Sequence, residues 1–402
     1  MCKLIRIFLL SAFVLSCQKS LFDTPPRSDP SLSGSRRDST VALDPDAPEP
    51  PPDLYATALC FGEDESAEVV LFKNGEKVLR VPVSGRPEPE RHRIMKGHLW
   101  TDSCDGSEVI ISRDGEERFR YPGDELLRGF LEVKGKLYTL GQRQGKEGFS
   151  LRVNGEVRFS APTGTILGGP DDNEWEGGAF SQDTSGVYYT YGIPLWKGDE
   201  LLWEYRVMQE DQVFKTLPAG SADAIFDIRV HNGVVYRSEL RSSLRNTFCL
   251  VKDETYQAVN LSTTEVPHYW KLTTVNDQIF LKGYSTGIVG GKEYCYWMRT
   301  PSDVPFIVTD NLPIRDMVTD GEHIAYLVDN ADGLVRSAYL NNAGIIFTSD
   351  RYRLPSLRCI QLKKGVLGLA LSSPDGEKHL LIRDQEVQTL EFNGYFTSVQ
   401  IY

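Results

Sequence analysis

Three patterns that identify common classes of protein are missing from this chain of 402 residues. No stretch keeps an apolar residue at every third or fourth position, which excludes helix-based solenoids. Basic residues do not exceed acidic ones: there are 44 against 56, and the formal net charge is −12. This balance argues against nucleic acid, which requires a basic face, and against a polybasic membrane-surface protein.

Paired cysteines are missing as well. None of the 7 cysteines forms a C-x-x-C motif, so neither a zinc ribbon nor a thioredoxin-type site is supported. Those in the strand-like segments are Cys60, Cys104, Cys249, Cys295 and Cys359. We predict that they are buried structural thiols. Cys249 and Cys295 occupy similar places in successive repeats, so a disulfide between them is the alternative.

The apolar run near the N-terminus is too short to cross a bilayer. It covers residues 7–15, whereas a membrane helix requires about 20. Lys3 and Arg6 precede it, so residues 1–16 are predicted to be a secretory signal peptide.

This segment ends with Val14-Leu15-Ser16-Cys17, which resembles the lipobox of bacterial lipoproteins. The resemblance implies cleavage before Cys17, lipidation of its thiol, and attachment to the bacterial cell envelope. The outer membrane is favoured because Gln18 is not the aspartate linked to inner-membrane retention. Plain secretion with an unmodified Cys17 is the alternative.

Residues 17–52 are predicted to be a disordered tether. They are rich in Pro, Ser and Asp and nearly free of aromatic residues, so they lack the apolar surface that folding requires. A proline-rich chain is stiff and extended, and it would hold the folded part, residues 53–402, away from the membrane.

Residues 128–161 contain one complete repeat unit of four short strands. Their sequences are RGFLEVK, KLYTLGQ, FSLRV and EVRFSA. Gly135 turns the chain between the first two, and Asn154-Gly155 between the last two. Asn-Gly is a strong hairpin signal because both central positions of a type I′ turn require positive φ. The unit is therefore predicted to be a four-stranded antiparallel meander.

The two turns recur with a period of roughly 40–50 residues. The glycine between the first two strands recurs at Gly97, Gly135, Gly186, Gly233, Gly321 and Gly365. The later hairpin recurs at Asn74-Gly75, Asp114-Gly115, Asn154-Gly155 and Lys197-Gly198, and in weaker form near Asp253, Ser302, Asn342 and Asp384.

This repetition predicts an all-β fold, a β-propeller of four-stranded blades. The later hairpins count eight blades, and seven is the alternative because those after residue 250 are weak. The first blade, residues 54–82, lacks a first strand, whereas residues 395–402 form a strand with nothing after it. We predict that the C-terminal strand completes the first blade and closes the ring.

No named propeller family matches. The markers of WD repeats are absent, and the double glycines Gly168-Gly169 and Gly290-Gly291 do not recur in phase as in kelch repeats. Over nearly the whole mature chain the pattern resembles the lipid-anchored β-propellers of Bacteroidota-type bacteria. That resemblance implies a fold and an envelope location, and it carries over no functional residues.

The longer connections are expected to bind ligands. Connections between the second and third strands, and between successive blades, share one face and are long, as in residues 83–93, 162–178, 262–270, 285–294 and 349–356. The candidate ligand-binding residues on this face are Trp175, His268, Tyr269, Trp270, Arg351, Tyr352 and Arg353. Exposed aromatic rings could stack on sugars or on peptide side chains; packing between blades is the alternative.

A calcium site is the only cofactor hypothesis that the sequence offers. Asp171, Asp172 and Glu174 bring several oxygens together, as calcium prefers, but without the spacing of a known calcium loop. A solvated acidic loop is the simpler interpretation, and no other cofactor is expected.

The sequence favours a membrane-anchored, non-catalytic binding protein whose partner is a glycan or an envelope protein. Neither a metal-binding histidine spacing nor G-x-S-x-G occurs, and His92, His268 and His323 lie in different repeats. A carbohydrate-active lyase or hydrolase with its site at the channel mouth is one alternative. A structural subunit of an envelope complex is the other.

Overall fold

The computed structural model describes the chain from residue 52 to 402. The gaps in the description are residues 65, 84–91, 105–106, 123–124, 144–147, 168–179, 221–223, 242–246, 259–268, 276–277, 287–292, 300–305, 311–313, 331 and 341–343. In some strands only the backbone is described. The predicted signal peptide, Cys17 and the tether lie outside the described residues and stay predictions.

The fold is nearly all β-strand. The first sheet contains β1 (Leu54–Phe61), β2 (Ala67–Lys73), β3 (Glu76–Val83) and β33 (Gly394–Ile401). The second contains β4 (His92–Met95), β5 (His98–Cys104), β6 (Glu108–Arg113) and β7 (Glu116–Pro122). The third contains β8 (Glu125–Val133), β9 (Lys136–Arg143), β10 (Phe149–Val153) and β11 (Glu156–Ser160). The fourth contains β12 (Ile166–Leu167), β13 (Phe180–Gln182), β14 (Val187–Lys197), β15 (Glu200–Gln209) and β16 (Gln212–Leu217).

Four more sheets follow in chain order. The fifth contains β17 (Ala224–His231), β18 (Val234–Arg241), β19 (Thr247–Lys252) and β20 (Thr255–Ala258). The sixth contains β21 (Tyr269–Val275), β22 (Gln278–Thr286), β23 (Glu293–Arg299) and β24 (Phe306–Asp310). The seventh contains β25 (Ile314–Thr319), β26 (Ile324–Asp329), β27 (Val335–Leu340) and β28 (Gly344–Thr348). The eighth contains β29 (Ile360–Lys363), β30 (Val366–Ser372), β31 (Lys378–Arg383) and β32 (Glu386–Glu391).

The strands of each sheet pair antiparallel, which confirms the predicted four-stranded repeats. In six sheets the strands pair in chain order, and the strand that comes first is called the first strand below. In the fourth sheet this position is shared by β12 and β13, which both pair with β14. In the first sheet it is taken by β33, which pairs with β1. The short 3-10 helix Leu357–Cys359 precedes β29, and no helix in the described part is long and apolar enough to cross a membrane.

Each sheet contacts the next one, mostly through the first strands. Thus β4 contacts β1 and β33, β8 contacts β5, and the same pattern continues through β13, β17, β21, β25 and β29. The eighth sheet then contacts the first, because β29 and β30 lie against β33. The order of contacts therefore returns to its starting point.

The hydrophobic core consists of layers between neighbouring sheets rather than one central mass. Within the described residues, a buried cluster joins each sheet to the next, and the largest cluster joins the seventh, eighth and first. Cys60 and Cys359 are buried in that largest cluster as thiols, as predicted. Cys249 is buried as well, whereas the side chain of Cys295 is not described, so a bridge between them stays untested.

The recurring Asn or Asp of the later hairpin has two roles. Its φ lies between +50° and +54°, a left-handed conformation that these residues tolerate. Its side-chain oxygen also accepts a hydrogen bond from the backbone N–H that opens the second strand. Asn74 accepts from Leu54, Asp114 from Leu99, Asn154 from Leu137 and Asp384 from Leu367, each at 2.8 Å. Asp253 accepts from Val235 at 3.4 Å.

One hairpin was assigned wrongly from the sequence. Lys197-Gly198 joins β14 to β15, the second and third strands of the fourth sheet, so it belongs to the opposite face. The turn equivalent to Asn154-Gly155 lies at Glu210, whose N–H donates to the carbonyl of Val187 at 3.1 Å. The weak hairpins near Asp253 and Asp384 are confirmed, whereas Ser302 and Asn342 lie outside the described residues.

A buried polar network joins β33 to its neighbours. The hydroxyl of Thr397 lies 2.8 Å from that of Thr57 on β1 and 2.6 Å from Nε2 of His92 on β4. The Ser398 hydroxyl lies 2.6 Å from Thr57 Oγ1. Because all four side chains are buried, each bond lost would leave a polar atom without water to replace its partner.

We expect Thr397→Val to lower the free energy of unfolding by about 1–3 kcal/mol, because it keeps the side-chain shape and removes the hydroxyl that binds His92 Nε2 and Thr57. Urea unfolding measures the change. The matched control is Thr389→Val on the exposed outer strand β32, which should change stability by no more than about 0.5 kcal/mol. Equal effects of the two variants would contradict a structural role for the network.

Two aspartates connect the first turns of neighbouring sheets. Asp320 follows β25, and its carboxylate accepts the N–H of Gly365, in the β29–β30 turn, at 2.5 Å. Asp183 follows β13 and accepts the N–H of Gly233, in the β17–β18 turn, at 3.1 Å. Burial by itself raises the pKa of each carboxyl, but the backbone N–H donors outweigh it and both values are lowered.

The lowered pKa of Asp320 has a definite sign in the pH dependence of stability. The ionised carboxylate stabilises the fold above the ordinary aspartate pKa of about 4, and this contribution is lost as the pH falls below that value. We expect Asp320→Asn to destabilise by about 1–3 kcal/mol at pH 7 and by much less at acidic pH. Urea unfolding at several pH values tests this, with the exposed Asp332→Asn as control. A pH-independent difference would contradict it.

Candidate functional site

The connections of the sheets lie on two opposite faces. Because neighbouring strands are antiparallel, turns between the first and second strands share a face with turns between the third and fourth. We call this the short-turn face and the other the long-loop face. The described part begins and ends at the short-turn face, where the N–H of Tyr402 donates to the carbonyl of Asp53 at 3.0 Å.

Four of the seven predicted ligand-binding residues lie outside the described side chains. Trp175 and His268 lie outside the described residues, and Tyr269 and Trp270 open β21 with backbone alone described. The calcium candidates Asp171, Asp172 and Glu174 also lie outside them. In the part of the chain that is described, no group of three or more His, Cys, Asp or Glu side chains could hold a metal ion.

The three remaining predicted residues lie together on the long-loop face. The carbonyl of Tyr352 accepts the N–H of Val335 at 2.7 Å, and Arg353 pairs with Ser372 through both backbone groups. These bonds hold the loop against the seventh and eighth sheets. The Tyr352 ring packs partly on the hydrophobic core, which is the packing role weighed as the alternative, whereas Arg351 and Arg353 are exposed.

The described histidines of the sequence analysis do not form an acid–base pair. Burial, and then the positive charge of Arg358, lower the pKa of His92 to about 3, so its imidazole is neutral near pH 7. His323 lies in another sheet, where its Nδ1 is 3.2 Å from an oxygen of Asp320. His92 therefore takes part in a contact between sheets, whereas His323 contacts Asp320, whose carboxylate binds Gly365 of the eighth sheet.

Among the described residues, the most exposed apolar feature is a hairpin of the fourth sheet. Strand β12 pairs with β14 only at residues 191–192, and the pairing of β16 with β15 stops at Tyr205. Residues 193–204, which we call the hairpin arm, therefore pair only with each other in the described ladders. The arm extends from the long-loop face, opposite to the chain ends.

Both faces of the arm are apolar. Successive side chains of a strand point to opposite faces, so Pro194, Trp196, Leu201 and Trp203 share one face. Ile193, Leu195 and Leu202 share the other. The side chain of Trp196 is 70% exposed, that of Leu195 42% and that of Leu201 40%. Large apolar residues this exposed and this close together are typical of interaction sites.

The base of the arm is packed tightly enough to hold it. Gly192 pairs with Tyr205, and a Cβ at Gly192 would lie 3.1 Å from both Ile166 and the Trp203 ring. Glycine therefore lets Ile166 of β12 and Trp203 pack against the backbone. Since an isolated two-stranded hairpin is only marginally stable, this packing is what keeps the arm in place.

The tip of the arm is charged. Lys197 and Glu200 form the pair that closes the turn, and Asp199 lies within it; all three are exposed. Further down, Glu204 is bound by Arg206 at 3.1 Å. The carboxylates of Asp199 and Glu200 outnumber the single ammonium group of Lys197, so the tip carries a net negative charge.

Sequence reasoning missed the arm because its Lys-Gly turn resembles the hairpins of the other sheets. A signal was present in the strand lengths: β14 has 11 residues and β15 has 10, whereas β9 and β10 have 8 and 5. The segment IPLWKGDELLW is also apolar in both alternating positions, which a strand with one buried face is not.

Comparison with known proteins identifies no family. No protein-family model and no curated protein matches the chain.

Among solved structures, a eukaryotic initiation factor is 11% identical to this chain, with a TM-score of 0.47. The match covers 86% of this chain and 98% of the factor's chain. BamB from Moraxella catarrhalis is 14% identical, with a TM-score of 0.40, and the match covers 83% of this chain and 96% of the BamB chain. The β-propeller domain of the Trilobed protease from Pyrococcus furiosus is 10% identical, with a TM-score of 0.43, and the match covers 71% of this chain and 89% of that domain's chain. Because each TM-score is below one half, the proposals below rest on this chain's own residues.

The exposure of the arm predicts which of its tryptophans the fold requires. We expect Trp196→Ser to change the free energy of unfolding by no more than about 0.5 kcal/mol, because the ring is mostly in water. Trp203→Ser should cost at least about 1 kcal/mol, because that ring packs at the base of the arm. Guanidinium unfolding measures both. A large loss in Trp196→Ser would show that the ring packs on the sheets instead.

Proposed function

We propose that this chain is a non-catalytic binding protein, a β-propeller whose hairpin arm binds a protein partner at the long-loop face. In this proposal the eight sheets are eight blades, and β33 closes the ring. The cyclic order of contacts and the pairing of β33 with β1 support the closure.

The observation that carries the binding function is the exposed apolar surface of the arm. Covering a leucine side chain such as Leu195 or Leu201 contributes about 1.5–3 kcal/mol, and a tryptophan such as Trp196 is a typical energetic centre of protein interfaces. A hairpin that needed only to connect two strands could have been as short as the other turns. Its length and composition are therefore attributed to a partner.

The charge at the tip defines the partner's chemistry. The negative side chains Asp199 and Glu200 would be repelled by an anionic lipid surface, and burying them in a bilayer is costly. A protein groove with an apolar floor and a basic rim fits both features, since the floor would cover Trp196 and the rim would face the tip.

The predicted lipid anchor is compatible with this arrangement. A lipid on Cys17 followed by an extended tether of residues 17–52 would reach about 100 Å and join the folded part at its short-turn face. The arm would then be free to contact another protein of the cell envelope, with the outer membrane as the proposed location.

Photo-crosslinking tests the partner directly. A crosslinking amino acid replaces Trp196 in the full-length chain, in the cells that produce it, and a second chain carries it at Val157, an exposed residue of the outer strand β11. We expect one discrete protein adduct from position 196 and none from position 157. Asp199→Lys with Glu200→Lys should reduce the adduct about tenfold, as a loss of 1.4 kcal/mol would, whereas Glu386→Lys on β32 should not.

Other outcomes would contradict the proposal. An adduct insensitive to both the charge reversal and Leu201→Ser would mean that the arm is not the recognition element. Adducts with lipid alone would assign the arm to the membrane. Stabilisation by one glycan that persists after Trp196→Ser would favour the glycan alternative, which depends on Trp175, Tyr269 and Trp270.

A further inference from the structure

The outer hairpin of the fourth sheet differs from those of the first three sheets at both turn positions. In those sheets the turn is Asn74-Gly75, Asp114-Gly115 or Asn154-Gly155. In the fourth sheet it is Glu210-Asp211, because the N–H of Glu210 donates to a carbonyl of the second strand as the N–H of Asn154 does. An aspartate therefore takes the place of the glycine.

The hairpins of the second and third sheets pack closely against the outer strand of the preceding sheet. A Cβ at Gly115 would lie 3.4 Å from Val81 on β3, and a Cβ at Gly155 would lie 3.9 Å from Phe119 on β7. The hairpin of the fourth sheet does not close on its neighbour in this way. A cleft of about 390 Å³ lies between it and the third sheet.

This cleft opens on the short-turn face. Its third-sheet side includes Lys136, Val153, Glu156 and Arg158, and its fourth-sheet side includes Glu210 and Asp211. The volume falls within the range of about 300–1,000 Å³ that is usual for small-molecule sites. The cleft is therefore large enough for a small metabolite.

The charges of the two sides do not pair across the cleft. On the third-sheet side, Arg158 is bound to Glu156 at 3.0 Å, which leaves the ammonium group of Lys136. On the fourth-sheet side are the carboxylates of Glu210 and Asp211. Among the described residues, neither carboxylate forms an ion pair with Lys136. One positive and two negative groups thus line the same cleft without neutralising one another.

A buried tyrosine fixes the position of Glu210. The hydroxyl of Tyr138, on β9 of the third sheet, donates to Glu210 Oε1 at 2.8 Å. Burial, and then this bond, raise the pKa of Tyr138 to about 12, so the hydroxyl is protonated near pH 7. The equivalent Asn154 accepts a backbone N–H of its own sheet instead. Glu210 is therefore directed across the junction of the two sheets rather than back to its own turn.

We propose that this cleft binds a basic α-amino acid, with the α-carboxylate against Lys136 and the two cationic groups against Glu210 and Asp211. Charge-assisted hydrogen bonds of this kind are among the strongest that proteins make. A basic amino acid carries one excess positive charge, which balances the one excess negative charge of these three side chains. Its methylene groups contact the apolar side chain of Val153.

This site is independent of the hairpin arm. Both belong to the fourth sheet, but the cleft opens on the short-turn face and the arm extends from the long-loop face. The proposed ligand is a small molecule, while the proposed partner of the arm is a protein. Failure of one proposal therefore leaves the other standing.

Isothermal titration of L-lysine into the full-length chain in detergent, at constant ionic strength, tests the site. Two analogues each lack one of the recognised groups: cadaverine lacks the carboxylate, and 6-aminohexanoate lacks the α-ammonium group. We expect L-lysine to bind and each analogue to bind at least about tenfold more weakly. The midpoint of thermal unfolding should rise by about 3–4 °C at a hundredfold excess of L-lysine over its dissociation constant.

Substitutions on the two sides of the cleft locate the binding. Lys136→Gln and Asp211→Asn should each weaken L-lysine binding at least about tenfold. Asp211→Gly should do the same and keep the fold, because glycine is the residue that the first three sheets have in this turn. The matched controls are Lys77→Gln on β3 and Asp332→Asn between β26 and β27, both exposed, which should leave the affinity unchanged.

Three results would overturn the proposal. The first is the absence of binding heat when L-lysine is titrated into the unmodified chain. The second is equal affinity for L-lysine and cadaverine, which would mean that Lys136 holds no carboxylate. The third is binding that survives in both Lys136→Gln and Asp211→Gly, which would mean that L-lysine binds elsewhere on the chain.

Discussion

The pairing of β33 with β1 is the contact on which the rest of the molecule depends. Buried clusters lie between each described sheet and the next, so every sheet depends on its neighbours to cover its apolar side chains. Without β33 the first and eighth sheets would lose their shared cluster and expose apolar surface. The buried hydrogen bonds of Thr57, Thr397 and His92 give this contact one register. Joining Thr57 to Thr397, 340 residues away, requires closing a very long loop, which is typical of slow folding.

Polar side chains hold this layered core in register because apolar packing alone does not specify which residues meet. The turn Asn or Asp of the outer hairpin connects the third strand to the start of the second within a sheet. Asp183 and Asp320 make the corresponding connection between sheets. Each of these oxygens accepts backbone N–H groups that the ladders leave unpaired, so the same residues that permit the turns also satisfy them.

The hairpin arm is the place where the molecule departs from this economy of buried surface. It exposes Trp196 and Leu201, side chains that most folded proteins bury. Local features that disagree with the rest of a fold are expected at functional sites, since selection for binding retains them at some cost in stability.

The sequence by itself determined the repeated four-stranded unit, because Asn154-Gly155 and Gly135 specify turns through backbone conformations that few residues adopt. It also indicated that the C-terminal strand belongs to the first unit, since a missing strand and a surplus strand match.

The sequence did not distinguish Lys197-Gly198 from the other hairpins, because a turn signal is local and does not show which strands it joins. It left open whether the ring of Tyr352 binds a ligand or packs in the core, and the structure packs that ring partly on the core. Only the tertiary structure decided that Arg358 reaches the carbonyl of His92: the two residues are 266 positions apart, and the distance between distant residues depends on how all the intervening sheets pack.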